Sequence, residues 1–358
     1  MFRLANVGIC AVIAALFLLP FFLESYTVSR VTMYMIFVIA VLGLNILTGF
    51  SGQLSLGHGA FIGVGAYVAG VLIISFNVPY LLTIPAAGIV CAMFGYVIGF
   101  PALRLQGHYL ALATFGLALS LPQVLKHKSL EGWTGGAQGL VLNWIEPPVN
   151  FSLMGVPMDT DRWLYMVVLM TGVIVFTLCW NLLRGRVRRA FISLRDHPTA
   201  AETMGVSSVW YKTNAFAISA ALAGISGALL AITTSFVAPD SFPVMLSIGL
   251  LVGSVVGGIS TVFGALFGGL FVEIIPEFAH EFSKSAPTVI YGGLLLVVVY
   301  IMPDGLVGLL NNLYRKKLEN LFRKKTDLYQ STQQELMTLE VNKRNNAITE
   351  RYRGDGRL

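Results

Sequence analysis

The chain has 358 residues, of which 56% are hydrophobic and only 12% charged, with a mean hydropathy of +0.74; a soluble domain carries about a quarter charged residues. This excludes a soluble domain on a single anchor and describes a chain mostly embedded in a bilayer. The formal charge of +6 does not point to nucleic acid, because the basic residues cluster where apolar segments end, as the positive-inside rule requires.

Apolar runs, most of them near the roughly 17–25 residues that cross a membrane, fall at about 5–23, 31–47, 54–74, 81–100, 108–125, 163–183, 213–236, 244–256, 262–275 and 287–302. Residues 1–22 carry Arg3 ahead of an apolar core, as signal peptides do. They lack a small-x-small cleavage site and read as a retained transmembrane helix. Cys10, Cys91 and Cys179 each sit in a different apolar run with no His or Cys at ligand spacing, so they read as small core residues and no metal site is expected.

The stretch "GFSGQLSLGHGAFIGVGAY" (49–67) sets glycines, Gln53, Ser55 and His58 among hydrocarbon. Glycines let helices approach closely, and the three polar side chains offer neutral hydrogen bonds. Gln53, Ser55, His58 and Gly59 are therefore candidates to line a translocation pathway, with a packing role for His58 open beside it. Ser55 and His58 also suggest the nucleophile and base of an intramembrane protease, but Gln53 stands where a Gly-x-Ser-x-Gly motif needs its first glycine.

Two strongly basic stretches fix a topology: Arg184, Arg186, Arg188, Arg189 and Arg195, then Arg315, Lys316, Lys317, Arg323, Lys324 and Lys325. With both in the cytoplasm, an even number of crossings separates them, so region 244–275 must return to the side it entered from. It is too short for two full spans and a turn, which predicts a re-entrant pair of half-length helices around "GSVVGGISTVFG". Counting backward places Arg104 and Arg3 inside and 126–162 outside. The GxxxG spacings Gly253/Gly257 and Gly264/Gly268 suit close helix packing. Gly52, Ser55, Gly59, Ala60 and Gly63 match Gly257, Ser260, Gly264, Ala265 and Gly268 at one constant offset, a faint internal repeat. Gly257, Ser260 and Gly264 are accordingly the pathway's candidate second half.

The loop at about 184–212 contains "SLRDHPTAAETMGV", where Asp196 and Pro198 suit a helix start and Gly205 its stop. A helix of about two turns is expected, followed by Trp210 and Tyr211 at the headgroup layer. An ordinary basic loop and a docking surface for a soluble partner both fit. The outer loop 126–162 is too long for a simple turn and reads as a structured cap, with Trp133 and Thr134 either touching a partner or packing on the spans.

Six motifs in order, "LNILTGFSGQLSLGHGAFIGVGAYVAG", "LRLQGHYLALATFGLAL", "GWTGGAQGL", "SLRDHPTAAETMGV", "GGISTVFGALFGGLFVEIIPE" and "MPDGLVGLL", resemble the Liv-type permeases of branched-chain amino acid ABC importers, most closely the LivM kind of subunit. The resemblance runs from about residue 31 to 310. It implies a second, LivH-like permease subunit, two cytoplasmic ABC ATPase subunits that bind ATP and Mg, a periplasmic substrate-binding protein, and residence in a bacterial inner membrane in contact with lipid. It also places Arg195, Asp196, Ala200, Ala201, Glu202 and Gly205 in the loop that docks on the ATPase, and Trp133 and Thr134 toward the binding protein. The order Ala200-Ala201-Glu202-Thr203-Met204-Gly205 departs from the general Glu-Ala-Ala-x-x-x-Gly pattern, which puts the role of Glu202 in question. The chain itself has no Gly-x-x-x-x-Gly-Lys-Ser/Thr sequence to cradle a nucleotide, so it is expected to bind no cofactor and to be a transport subunit, not an enzyme.

The expected protein is all-α and polytopic, with about eight full spans plus a re-entrant helix pair and both termini cytoplasmic. Residues 1–310 form the permease domain and 311–358 a charged cytoplasmic tail, whose first part could meet anionic lipid. Branched-chain or other amino acids are the expected substrates, with urea, amides or small organic acids as the alternative for the same architecture. An ion-coupled secondary transporter would show intramembrane carboxylates, and the spans have hardly any: Glu273 lies near the end of the hairpin, while Glu24 and Glu277 are peripheral.

Overall fold

In the computed structural model, residues 15–102, 108–142, 152–153, 156–157, 159–282, 289, 291–293, 296–297, 300 and 305 are described. The chain divides into two compact units, Met1–Val307 and Gly308–Leu358. The elements below belong to the first. Most of the expected run 5–23, much of 287–302, Arg3, Cys10, Arg104 and the tail 311–358 lie outside the described residues.

In chain order the elements are α1 (Ser25–Leu44), which continues as a π-helical turn (Asn45–Phe50), α2 (His58–Phe76), α3 (Tyr80–Ala102), α4 (His108–Leu125), α5 (Glu131–Thr134), β1 (Leu140–Val141), β2 (Ser152–Leu153), β3 (Val156–Pro157), α6 (Thr160–Leu182), α7 (Arg186–Asp196), α8 (Pro198–Thr203), α9 (Ser208–Thr234), β4 (Phe236–Val237), α10 (Val244–Gly258) and α11 (Gly264–Phe282). Among the described residues six helical stretches are long and apolar enough to cross a membrane. A seventh arises if Tyr109–Leu125 and Lys128–Thr134, bent by 66°, make one span. The strands are two-residue pairs, so the fold is that of an all-α polytopic membrane protein.

Helix α9 is the hub. It packs against α1, α2 and α3, and 78% of its apolar window is buried, against 33% for Tyr80–Phe100 in α3. In lipid there is little hydrophobic force between helices, so close backbone approach supplies the packing energy. Gly224 and Gly227 of α9 meet α2 directly: a Cβ on Gly227 would run into the Ile62 carbonyl, and one on Gly65 into Gly224. Cys91 and Cys179 are buried and free.

Helices α10 and α11 pack against each other and against α1. They have 15 and 19 residues, at 1.5 Å each about 23 and 29 Å, and so are longer than the half-length pair expected. The turn between them needs only residues 259–263, because Gly258 (φ +115°) and Ser260 (φ +67°) take left-handed backbone and reverse the chain sharply. The two GxxxG pairs face one another: a Cβ on Gly253 would lie 2.7 Å from the Gly268 carbonyl oxygen, and one on Gly257 would strike that of Gly264.

The two ends of the bundle are built differently. At one end residues 126–141 are tied down by β1 pairing antiparallel with β4 and by Lys126 Nζ, 2.6 Å from Asp240 Oδ1. The other end carries α7, α8 and the α10–α11 turn.

Candidate functional site

The glycine-rich stretch forms a helix break. Beyond α1 the hydrogen bonds lengthen in register, from Ser51 N–H to the Ile46 carbonyl (3.1 Å) and from Gln53 N–H to that of Leu47 (3.0 Å), a widened turn of the kind found at functional sites. The chain then runs non-helically to Gly57, and α2 begins at His58. Gln53 and Ser55 thus lie on non-helical backbone, although the apolar run 54–74, which includes Ser55, suggested a helix. Hydropathy reports burial, and here the buried segment satisfies its polar groups without helical bonds.

Each polar residue of the break has a partner. Gln53 Nε2 donates to Ser51 Oγ (2.7 Å) and to the Lys212 carbonyl at the start of α9 (3.1 Å). Ser55 Oγ accepts from Gly57 N–H at 3.3 Å, and Leu56 N–H donates to Thr114 Oγ1 of α4 at 3.0 Å. His58 Nε2 lies 2.9 Å from the Ala40 carbonyl oxygen; a carbonyl only accepts, so Nε2 carries the proton. Gly59 N–H donates to Ser247 Oγ of α10 at 2.9 Å. Ser55 and His58 are buried and engaged with different backbone groups, so they do not form the nucleophile–base pair that proteolysis requires.

The second break is the α10–α11 turn, and it meets the first. Ser260 Oγ donates to the Gly49 carbonyl at 2.6 Å, and a Cβ on Gly49 would lie 2.5 Å from Ser260 N. Asn45 Nδ2 donates to the Thr261 carbonyl at 3.1 Å, while Asn45 Oδ1 accepts from Ser254 Oγ. Gly264 N–H, at the start of α11, donates to Thr261 Oγ1 at 3.0 Å. Ser260 is thereby brought against Gly49 and its neighbour Thr261 against Asn45, whereas Gly257 and Gly264 pack on each other; Gln53 reaches α9, His58 reaches α1, and Ser55 bonds within the break to Gly57.

The loop expected to give one two-turn helix gives two helices. Asp196 is the last residue of α7 and not a cap; its carboxylate accepts from Arg195 Nε at 2.8 Å. His197 precedes α8, Pro198 takes the first helical position, and Ala201 N–H bonds the His197 carbonyl at 3.0 Å. Gly205, at φ +84°, closes α8 with the paired bonds Val206 N–H to Ala201 and Gly205 N–H to Glu202, both 3.0 Å. Ala201 is buried, whereas Ala200, Glu202 and Met204 are exposed and present a surface.

Arg195 joins this loop to both breaks. Its Nη1 donates to the Gly49 carbonyl at 2.8 Å and to Ser260 Oγ at 2.6 Å. Gly52 (φ +72°) admits its stem: a Cβ there would sit 2.5 Å from Arg195 Cγ. One guanidinium therefore holds the end of α7, the end of the first broken helix and the turn of the second. Arg188, also on α7, lies over the Phe50 ring at 6.0 Å.

At the opposite end, Trp133 is 51% exposed and stacks on Phe76 at 6.1 Å between ring centroids. Thr134 is buried: its Oγ1 donates to the Leu125 carbonyl (2.8 Å) and accepts from Gly136 N–H (3.3 Å), holding the "WTGG" turn. Of this pair Trp133 offers the surface and Thr134 shapes the loop that presents it. Among the described residues no cluster of three or more His, Cys, Asp or Glu could hold a metal ion.

Sequence reasoning did not single out Asn45 or Gly49. A lone asparagine inside the run 31–47 is the signal that could have found the first, since a buried amide needs partners.

Residues 26–302 match the family described as branched-chain amino acid transport system / permease component. Over 308 residues the chain is 33% identical to the high-affinity branched-chain amino acid transport system permease protein LivM of Salmonella typhimurium and 32% identical to LivM of Escherichia coli. Each alignment covers 80% of this chain and 71% of the relative. No solved structure matches. The chain belongs to the permease family of branched-chain amino acid transport systems.

Proposed function

We propose that this protein is a membrane-spanning permease subunit of a binding-protein-dependent ABC importer that carries branched-chain amino acids inward. The match over residues 26–302 and the names of the LivM relatives support the substrate class. On this reading a LivH-like permease stands beside it, two ATPase subunits bind ATP and Mg below, and a periplasmic binding protein docks above near Trp133. The α7–α8 end faces the cytoplasm of a bacterial cell whose inner membrane holds the complex.

The observation that carries the mechanism is the Arg195 junction. A loop that meets an ATPase through Ala200, Glu202 and Gly205 is bonded, through Arg195, to both interrupted helices of the proposed pathway. Displacement of α7 and α8 on ATP-driven closure would then move Gly49 and Ser260 together, a switch between two arrangements. Gln53, Ser55, His58 and Gly59 on one side, and Gly257, Ser260 and Gly264 on the other, are the lining this motion would rearrange.

The test is leucine uptake into proteoliposomes holding the whole complex with its binding protein. Uptake that requires ATP and persists with the membrane gradient collapsed is the expected result. Uptake that fails with the gradient although ATP is present would establish ion coupling and overturn the ABC reading. Transport of urea, an amide or a small organic acid in place of leucine would overturn the substrate.

A further inference from the structure

A cavity of about 390 Å³ lies between α1, α10 and α11, toward the end that carries β1 and β4, at the lower end of the range for small-ligand pockets. Its walls are mainly apolar, with Phe37 of α1, Leu246 of α10 and Val272 of α11 among them. Three polar side chains break this surface: Ser241, Tyr291 and the carboxylate of Glu273. Glu273 stands nine residues into α11, about 14 Å along it from Gly264, and so sits at membrane depth.

Among the described residues Glu273 makes no hydrogen bond or ion pair. Arg30, whose charge reaches it, is bonded instead to Glu277, one turn further along α11. A carboxylate at this depth is costly and faces a bundle interior or a water-filled path, where such groups commonly mark the route of a substrate or ion. A cavity with one anionic group, two hydroxyls and hydrocarbon walls matches a small aliphatic amino acid. Its ammonium would meet Glu273, its carboxylate the hydroxyls of Ser241 and Tyr291, and its side chain the apolar walls.

We infer that this cavity is a transient subsite for an aliphatic α-amino acid, entered from the β1 end, in which Glu273 receives the ammonium group. The inference rests on the importer reading above and adds a residue and a place to it. The two helix breaks offer neutral polar groups and the cationic Arg195, none of which can select a cation; Glu273 can.

Two measurements test it. In the reconstituted complex, Glu273→Gln should lower leucine uptake about 10–100-fold, the worth of a hydrogen bond to a charged group, while the loaded binding protein still stimulates ATP hydrolysis to within about twofold. Unchanged uptake, or equal loss of uptake and stimulation, overturns the subsite. Independently of transport, Ser241→Cys in membranes should react several-fold faster with a cationic methanethiosulfonate than with an anionic one, as expected beside a fixed negative charge. That preference should vanish in Ser241→Cys/Glu273→Gln, and its persistence overturns the proposal even where Glu273→Gln fails to assemble. Failure of the importer reading shows separately, as no leucine uptake by the parent complex.

Discussion

The two helix breaks share a plan, helix–break–helix with glycines at the turn, but differ in what holds them. The first is secured from within: Gln53, Ser55 and His58 are 7%, 1% and 2% exposed and bond to α9, Gly57 and α1. The second is secured at its rim. Ile259 is 42% exposed, Ser260 and Thr261 are half-buried, and the turn is held by Gly49, Asn45 and a side chain reaching in from α7. Arg195 bonds both breaks, but the first has further anchors at Lys212, Thr114, Ala40 and Ser247. On the proposed mechanism, moving the loop that carries Arg195 should therefore displace the α10–α11 turn more than the first break.

The largest effect should follow from removing the arginine. Arg195→Ala deletes the bonds to Gly49 and Ser260 and the contact with Gly52 at once. We expect ATP hydrolysis to continue while leucine uptake falls at least about tenfold, the loss of more than one charge-assisted bond. Arg195→Lys, with a point charge and no fork, should recover little of it. Parallel assays of hydrolysis and uptake on the same proteoliposomes decide; uptake that tracks hydrolysis one for one would make Arg195 a structural residue and remove the contrast between the breaks.

How much of this was legible differs between the two breaks for physical reasons. The polar and glycine content of 49–67 was visible because it interrupts hydrocarbon, and the GxxxG pairs of 253–268 because close packing leaves a spacing signature. The helix starts at His58 and Gly264 were not, since a buried segment is equally apolar whether helical or extended and has no polar face to give a period. Arg195 was found as part of a loop expected to meet an ATPase, but its bonds run to residues 146 and 65 positions away, which no local pattern encodes. The turn at Ser260 runs 259–263 where the apolar runs leave 257–261, a shift of two residues at equal length: the steric fit of Gly257 to Gly264 is a tertiary property that hydropathy does not report.

A smaller effect separates the two contributions Ser260 makes. Its backbone is left-handed at φ +67°, a conformation that costs a non-glycine residue about 1–2 kcal/mol, and its hydroxyl both donates to Gly49 and accepts from Arg195. Ser260→Ala keeps the strain and loses both bonds, so it should destabilise the purified protein by about 1.5–3 kcal/mol. Ser260→Gly loses the same bonds but relieves the strain, and should fall short of that loss by about 1 kcal/mol. Thermal melts of the parent and the two variants in one detergent check this: a Ser260→Gly protein less stable than Ser260→Ala would mean that residue 260 carries no left-handed strain, and a Ser260→Ala protein as stable as the parent would mean that the hydroxyl does not hold the turn.

The smallest effect should be on the first break, and its smallness in transport is the point. Gln53→Leu removes the donor to the Lys212 carbonyl and to Ser51 Oγ, leaving buried acceptors unpaired at a cost of about 1–3 kcal/mol. Because other bonds still pin this segment at Thr114, Ala40 and Ser247, the lost stability should appear in the melt, while uptake per folded complex changes by less than about threefold, or under 1 kcal/mol. Gln53→Glu, which keeps the shape but gives up the amide donor, should reproduce the lost stability. If instead Gln53→Leu leaves the melt intact and abolishes uptake, the amide meets substrate, and the first break is working surface of the pathway as much as the second.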